Sequence, residues 1–293
     1  MNHLLQLLLL LALIVIAAKL AGAAANRIGQ PAVFGEILVG LILGPTVLNV
    51  LDWTVFLPGA LPDHGEAPPS LYGVIHDFAE VGVVLLMFIA GMETNVAEMR
   101  RVGKVALWSA TGGVVVPLLG GITVSWAFGL PIFWEGLFIG TILTATSVSI
   151  SAQTLIELGQ LRSKEGSTIL GAAVIDDVQG IILLSLVVAL SSTGGHLQPA
   201  ELALVLVRMA AFFAAGIFLG RYFGRIAGWA DHLGVSQGLL AVVLAVAFLY
   251  AWAAEYVGGV AAITGSYLAG VLFAQTPFKD RIEHGIHPLT YSM

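Results

Sequence analysis

The sequence predicts an all-α polytopic membrane protein with its N-terminus outside, on three observations. Of its 293 residues, 58% are hydrophobic and 10% charged, with a mean hydropathy of +0.96; a soluble domain is roughly 25% charged. Apolar stretches recur from end to end, each long enough for a hydrocarbon core of ~30 Å. The basic residues between them fall in alternate loops only.

Nine spans are expected: Leu4–Ala24, Pro31–Leu51, Leu71–Val96, Val105–Phe128, Ile132–Leu158, Ser167–Leu190, Leu202–Phe223, Gln237–Tyr256 and Val260–Gln275. Together they make one transmembrane domain, residues 1–276, followed by an amphipathic tail, 277–293. The first span also resembles a cleavable signal peptide, with small residues at Ala23 and Ala25. No Lys or Arg precedes its apolar run and Lys19 follows it, which favours a retained helix. Lys19 and Arg27, then Arg100, Arg101 and Lys104, Arg162 and Lys164, Arg221 and Arg225, and Lys279 and Arg281 all follow odd-numbered spans. The loops after even-numbered spans carry Asp52, Asp63, Glu66 and His196 instead. By the positive-inside rule the basic loops are cytoplasmic. Lys19 and Arg221 lie at the cytoplasmic ends of their spans, and only Arg208 falls deeper within one.

The absence of cysteine excludes disulfides and thiolate metal sites, and the scattered basic residues form no nucleic-acid patch. A repeat appears at a fixed offset: FGEILVGLIL, Phe34–Leu43, matches TGSYLAGVLF, Thr264–Phe273, with Gly35 over Gly265, Leu38 over Leu268 and Gly40 over Gly270. The two segments run in opposite directions in the predicted topology, the mark of an inverted repeat.

Span six carries Asp176 and Asp177 within ILGAAVIDDVQGIILLSLVVAL. Each charge near the centre of a bilayer costs about 2.5–3.5 kcal/mol on the insertion scale, so such residues are functional candidates by default. Neighbours on a helix point about 100° apart, so the two acids cannot share one role. A carboxylate that holds either a proton or a cation is the smallest device for exchanging the two. Gly171, Ala172, Ala173 and Gly180 leave room for another helix. In span five, TATSVSIS, Thr144–Ser151, offers five hydroxyls as hard oxygen ligands, Thr144, Thr146 and Ser147 foremost. Hydroxyls in such helices also bond back to their own carbonyls. No Gly or Pro in this run marks a helix break.

At these two places the chain resembles the bacterial monovalent cation:proton antiporters, of the Na+/H+ and Kef-type K+ efflux branch. The resemblance runs from about Leu4 to Gln275, through QPAVFGEILVGLILGP, FAEVGVVLLMFIAGMET, TATSVSISAQTLIELG and LGAAVIDDVQG. It implies the inverted-repeat antiporter fold, a helix unwound near Thr144–Ser147, a carrier aspartate at Asp177 and a companion at Asp176. It implies a Na+ site at Asp177, with Thr144, Thr146 and Ser147 beside it and Glu80, Ser149 and Gln179 as accessories. No cofactor is expected, only transported Na+, Li+ or K+ and H+. The Asp-Asp pair tilts the cation towards Na+ or Li+, since the Kef-type branch usually carries Gln-Asp; a K+/H+ antiporter is the alternative. Spans three to six would form most of the transport unit, and spans one, two, eight and nine a scaffold through which relatives dimerise. The expected setting is the bacterial inner membrane, with the bilayer and a second copy as partners. Family members continue for about four further helices, thirteen in all. The chain is therefore also expected to be truncated, non-transporting alone, or completed by a partner subunit.

Glu36, Glu80 and Glu93 lie in or at the ends of spans two and three. Asp77, His76 and Glu255 fit solvated span ends, and the histidines lack metal-ligand spacing. An aspartyl protease needs two carboxyls facing each other across a water. Adjacent residues on one helix diverge, so an enzyme is not expected.

Overall fold

The computed structural model describes residues 3–53, 55–56, 70–131, 135–192, 199–232, 237–283 and 285. Asp63, His64, Glu66, His196, His284 and His287, the first three residues of the expected fifth span and most of the tail lie outside the described residues. Among the described residues the structure is all helical. It divides into two compact units whose boundary falls inside one helix, between Val83 and Val84.

The first unit holds α1 (His3–Arg27), α2 (Ala32–Leu43) and the start of α3 (Leu71–Glu93). Helices α1 and α2 form a tight hairpin turned at Gly29, whose φ of +75° suits a residue without a side chain. A Cβ on Gly35 would stand 2.2 Å from the Ala21 carbonyl oxygen, so the helices meet backbone to backbone there. Lys19 pairs with Glu36 across the hairpin at 3.4 Å. Beyond α2, Leu10, Val50, Phe56 and Leu71 gather in a small apolar cluster, and Gln6 Nε2 donates to the Val55 carbonyl at 2.8 Å.

The second unit contains the rest of α3, then α4 (Val96–Ala127), α5 (Leu137–Ile142), α6 (Val148–Glu157), α7 (Lys164–Ser192), α8 (Pro199–Gly220), α9 (Phe223–Asp231), α10 (Gly238–Ala253) and α11 (Ala262–Phe273). Asn95 caps α4, its Oδ1 accepting from the amides of Ala97 and Glu98. Small residues let the helices cross closely: Gly171 of α7 faces Ala106 of α4, Gly121 of α4 meets Gly140 of α5, and Gly91 of α3 meets Gly270 of α11. The main apolar core joins Phe88, Phe223, Val243, Phe273 and Ile282, with the Phe223 and Phe273 rings stacked at 4.3 Å. Trp108, Phe128 and Leu249 point outwards, as lipid-facing residues do.

Six described helices are long and apolar enough to cross a membrane, and α2 and α11 are shorter apolar helices. The structure shows the break that the resemblance implied, and one departure from the expected spans. The expected fifth span is two helices, α5 and α6, separated by residues 143–147. A short helix, α9, occupies the segment after the expected seventh span; it buries Phe223, Ala227 and Ala230, one face of a surface helix. Two ion pairs tie the helical turn 279–283 to its surroundings: Arg281 grips Asp231 through two bonds of 2.7 and 2.6 Å, and Glu283 pairs with Arg162. The Arg281 guanidinium holds the Asp231 carboxyl below the usual carboxylate range.

Candidate functional site

The site forms where α7 passes three other elements: α4, the gap between α5 and α6, and the first turn of α11. At the gap, hydroxyls bond the backbone carbonyls on both sides of the break. Thr144 Oγ1 donates to the Thr141 carbonyl at 2.7 Å and Thr146 Oγ1 to the Thr144 carbonyl at 3.3 Å. On the far side the Ser147 and Ser149 hydroxyls share a bond of 3.3 Å, and Ser151 Oγ donates to the Ser147 carbonyl at 3.4 Å. The same side chains that could bind a cation thus also stabilise the break.

The two acids diverge, as adjacent residues on a helix must. Asp176 is 7% exposed, with the Thr146 side chain beside it. Its Oδ1 is buried without a partner among the described residues. On the α4 side Gly113 faces it: a Cβ there would stand 4.0 Å from Asp176 Oδ1. Pro117, inside α4, has no N–H, so the Gly113 carbonyl lacks its usual helical donor. Asp177 turns the other way, towards α11, where Thr264 Oγ1 donates to its Oδ2 at 2.9 Å. Gln179 Nε2 donates to Thr111 Oγ1 of α4 at 3.1 Å, which fixes α7 against α4 beside Asp176.

The structure therefore brings Asp176 and Thr146 together and places Gln179 next to them. Thr144 is buried at 3% exposure and serves the break. Ser147 and Ser149 engage each other at the start of α6. Glu80 lies in the first unit, exposed, and pairs with His76 at 3.2 Å. Arg208 donates to the carbonyls of Val257 and Tyr256 at 2.9 and 2.8 Å, satisfying oxygens at the end of the α10 segment. Among the described residues, no group of three His, Cys, Asp or Glu could hold a metal ion. A monovalent cation here would be held by a carboxylate with neutral oxygens.

Sequence reasoning missed Thr264, Thr111 and Gly113. Thr264 was visible only as one end of the repeat, where its counterpart is Phe34. The Gly113–Pro117 spacing was a usable signal, because a proline four residues on frees that carbonyl.

The family described as sodium/hydrogen exchanger, transmembrane, matches residues 9–293. The chain belongs to that family. It is 36% identical over 287 residues to a probable Na(+)/H(+) antiporter, GerT, of Bacillus cereus, covering 97% of this chain and 69% of that one. It is 34% identical to the Na(+)/H(+)-K(+) antiporter GerN of Bacillus cereus, with coverage of 97% and 67%. The solved structure of the sodium proton antiporter MjNhaP1 from Methanocaldococcus jannaschii superposes with a TM-score of 0.67 at 18% identity, over 99% of this chain and 68% of that one. That likeness shows the fold, and the chain spans about two thirds of the length of each of these proteins.

Proposed function

We propose that this sodium/hydrogen exchanger family member works as a multi-pass antiporter of the bacterial inner membrane, exchanging Na+ or Li+ for H+ by alternating access. The observation that carries the reading is the acid pair, set in an apolar helix and facing two different elements. Asp177 is the carrier: it takes a cation or a proton, and either one neutralises a carboxylate that is costly to leave charged in a low-dielectric interior. Asp176, beside the α5–α6 gap, is its companion, with Thr146 supplying a neutral oxygen. Gln179 holds α7 in register on α4. Thr144, Ser147 and Ser149 contribute to the cation path from the gap, and a second copy of the chain is the expected partner. Exchange of this kind moves ions without converting a substrate, so no enzymatic role is proposed.

The test is cation-driven proton movement in liposomes carrying the protein and a trapped pH dye, with Na+, Li+ and K+ offered in turn. Asp177→Asn is expected to abolish the response to every cation. Flux that persists in this variant would overturn the assignment of the carrier. A response to K+ larger than that to Na+ or Li+ would overturn the cation assignment alone.

A further inference from the structure

We propose that Thr264 is a cation-binding residue: its hydroxyl holds the empty Asp177 carboxylate, then turns to give an oxygen lone pair to the cation that Asp177 binds. The proposal rests on the antiport reading above and adds to it a ligand from α11, outside the α5–α6 gap and α7.

Three observations carry it. The first is the direction of the hydroxyl. Thr111, Thr123, Thr141, Thr154 and Thr168 each donate to the carbonyl four residues back in their own helix, the usual habit of threonine in a helix. Thr264 instead reaches across to a residue 87 positions away in the chain, Asp177, at 2.9 Å. The second is burial: Thr264 is 2% exposed, so bulk water does not compete for the bond. The third is the repeat. The α1–α2 hairpin makes the same turn and the same close approach with Phe34 in the equivalent place, so the hairpin itself needs no hydroxyl there.

A hydroxyl has one proton to donate and two lone pairs to offer. Beside a bare carboxylate the proton is the useful half. Beside a carboxylate carrying Na+ a lone pair is, because small hard cations take oxygen ligands. Rotation about one bond exchanges the two, and the spacing of 2.9 Å lets one small ion touch both oxygens. Cation occupancy is thereby reported to α11, so binding at Asp177 and the packing of α11 on α7 change together.

The experiment measures equilibrium binding of radioactive Na+ to the purified protein, which needs no transport, together with exchange in liposomes. Thr264→Val keeps the shape and removes the hydroxyl. It is expected to weaken Na+ binding about tenfold, the excess of the lost oxygen ligand over the lost bond to the empty carboxylate. The maximal exchange rate should stay within roughly twofold, as for an interaction lost equally from bound and crossing states. Thr264→Ser is expected to restore binding, and Thr264→Ala against Thr264→Ser repeats the comparison without a branched side chain if the Val variant does not fold. Binding by Thr264→Val equal to that of the parent would overturn the proposal, as would a Ser variant as weak as the Val one, since that would mark a packing role. Asp177→Asn separates the two levels: if it binds and exchanges Na+ normally, the carrier reading fails; if it does not while Thr264→Val behaves as the parent, only the role of Thr264 fails.

Discussion

The α1–α2 hairpin turns at Gly29 with φ +75°, and the α10–α11 hairpin turns at Gly259 with φ +67°. Each second helix starts three residues later, at Ala32 and at Ala262, after an extended residue with ψ near 146° and 140°. Each is 12 residues long, and each carries a glycine, Gly35 or Gly265, where a Cβ would stand 2.2 Å from a carbonyl oxygen of the helix before it. The backbone is thus repeated at the offset seen in the sequence, but the surroundings differ. Two residues of α2 are buried against seven of α11. With Phe34 and Glu36 the first hairpin presents an apolar ring and an ion-pair partner. With Thr264 and Ser266 in the same places, the second presents hydroxyls that bond Asp177 and the Val84 carbonyl. One turn design serves as a wall in one unit and as part of the site in the other; what surrounds it decides which.

The largest test of that contrast is Gly265→Val. Tyr250 and Ala254 leave no room for the side chain, and the loss should reach about 3 kcal/mol, the upper range for overpacking. Gly35→Val meets the same backbone clash, but α2 is less enclosed and should relax to a smaller loss. Equal drops in melting temperature for the two would break the comparison. Next is Arg208→Gln, which removes both bonds to the Tyr256 and Val257 carbonyls. It should lower stability by roughly 1–2 kcal/mol, and exchange of the backbone amides around 254–260 should quicken while that around 26–30 does not.

The smallest effect concerns the base of the second hairpin. The folded carboxyl of Asp231 lies below its ordinary value of 3.8, so Arg281 stabilises the folded state at and above that value, and the contribution fades as pH falls through the lower folded one. Asp231→Asn should lower the melting temperature slightly near neutral pH, and the gap to the parent should close in strong acid. A gap that widens on acidification would contradict the sign.

Much of this site could be read from composition and spacing, because a pair of acids in an oily helix has few innocent explanations. The hydroxyl run after Thr141 was equally visible. Its break was not, since neither Gly nor Pro marks it; the resemblance alone implied the gap, where the structure shows hydroxyls bonded to carbonyls on both sides. Helix α9 was hidden because its apolar face merges with the end of the preceding span. Thr264 escaped because a lone threonine in a membrane helix is ordinary until its direction is known, and direction is a property of packing. Glu80, an accessory candidate in the sequence, lies in the structure one helical turn from its partner His76.

The α4 wall beside Asp176 has a practical consequence for how the protein is dissected. What α4 offers there is an omitted side chain at Gly113 and an omitted amide hydrogen at Pro117. At most positions alanine scanning removes atoms, but at these two it adds them. Residues of this kind register only when something is added, a methyl at 113 or an N–H at 117. A scan that passes over glycine and proline would draw the site with one side missing.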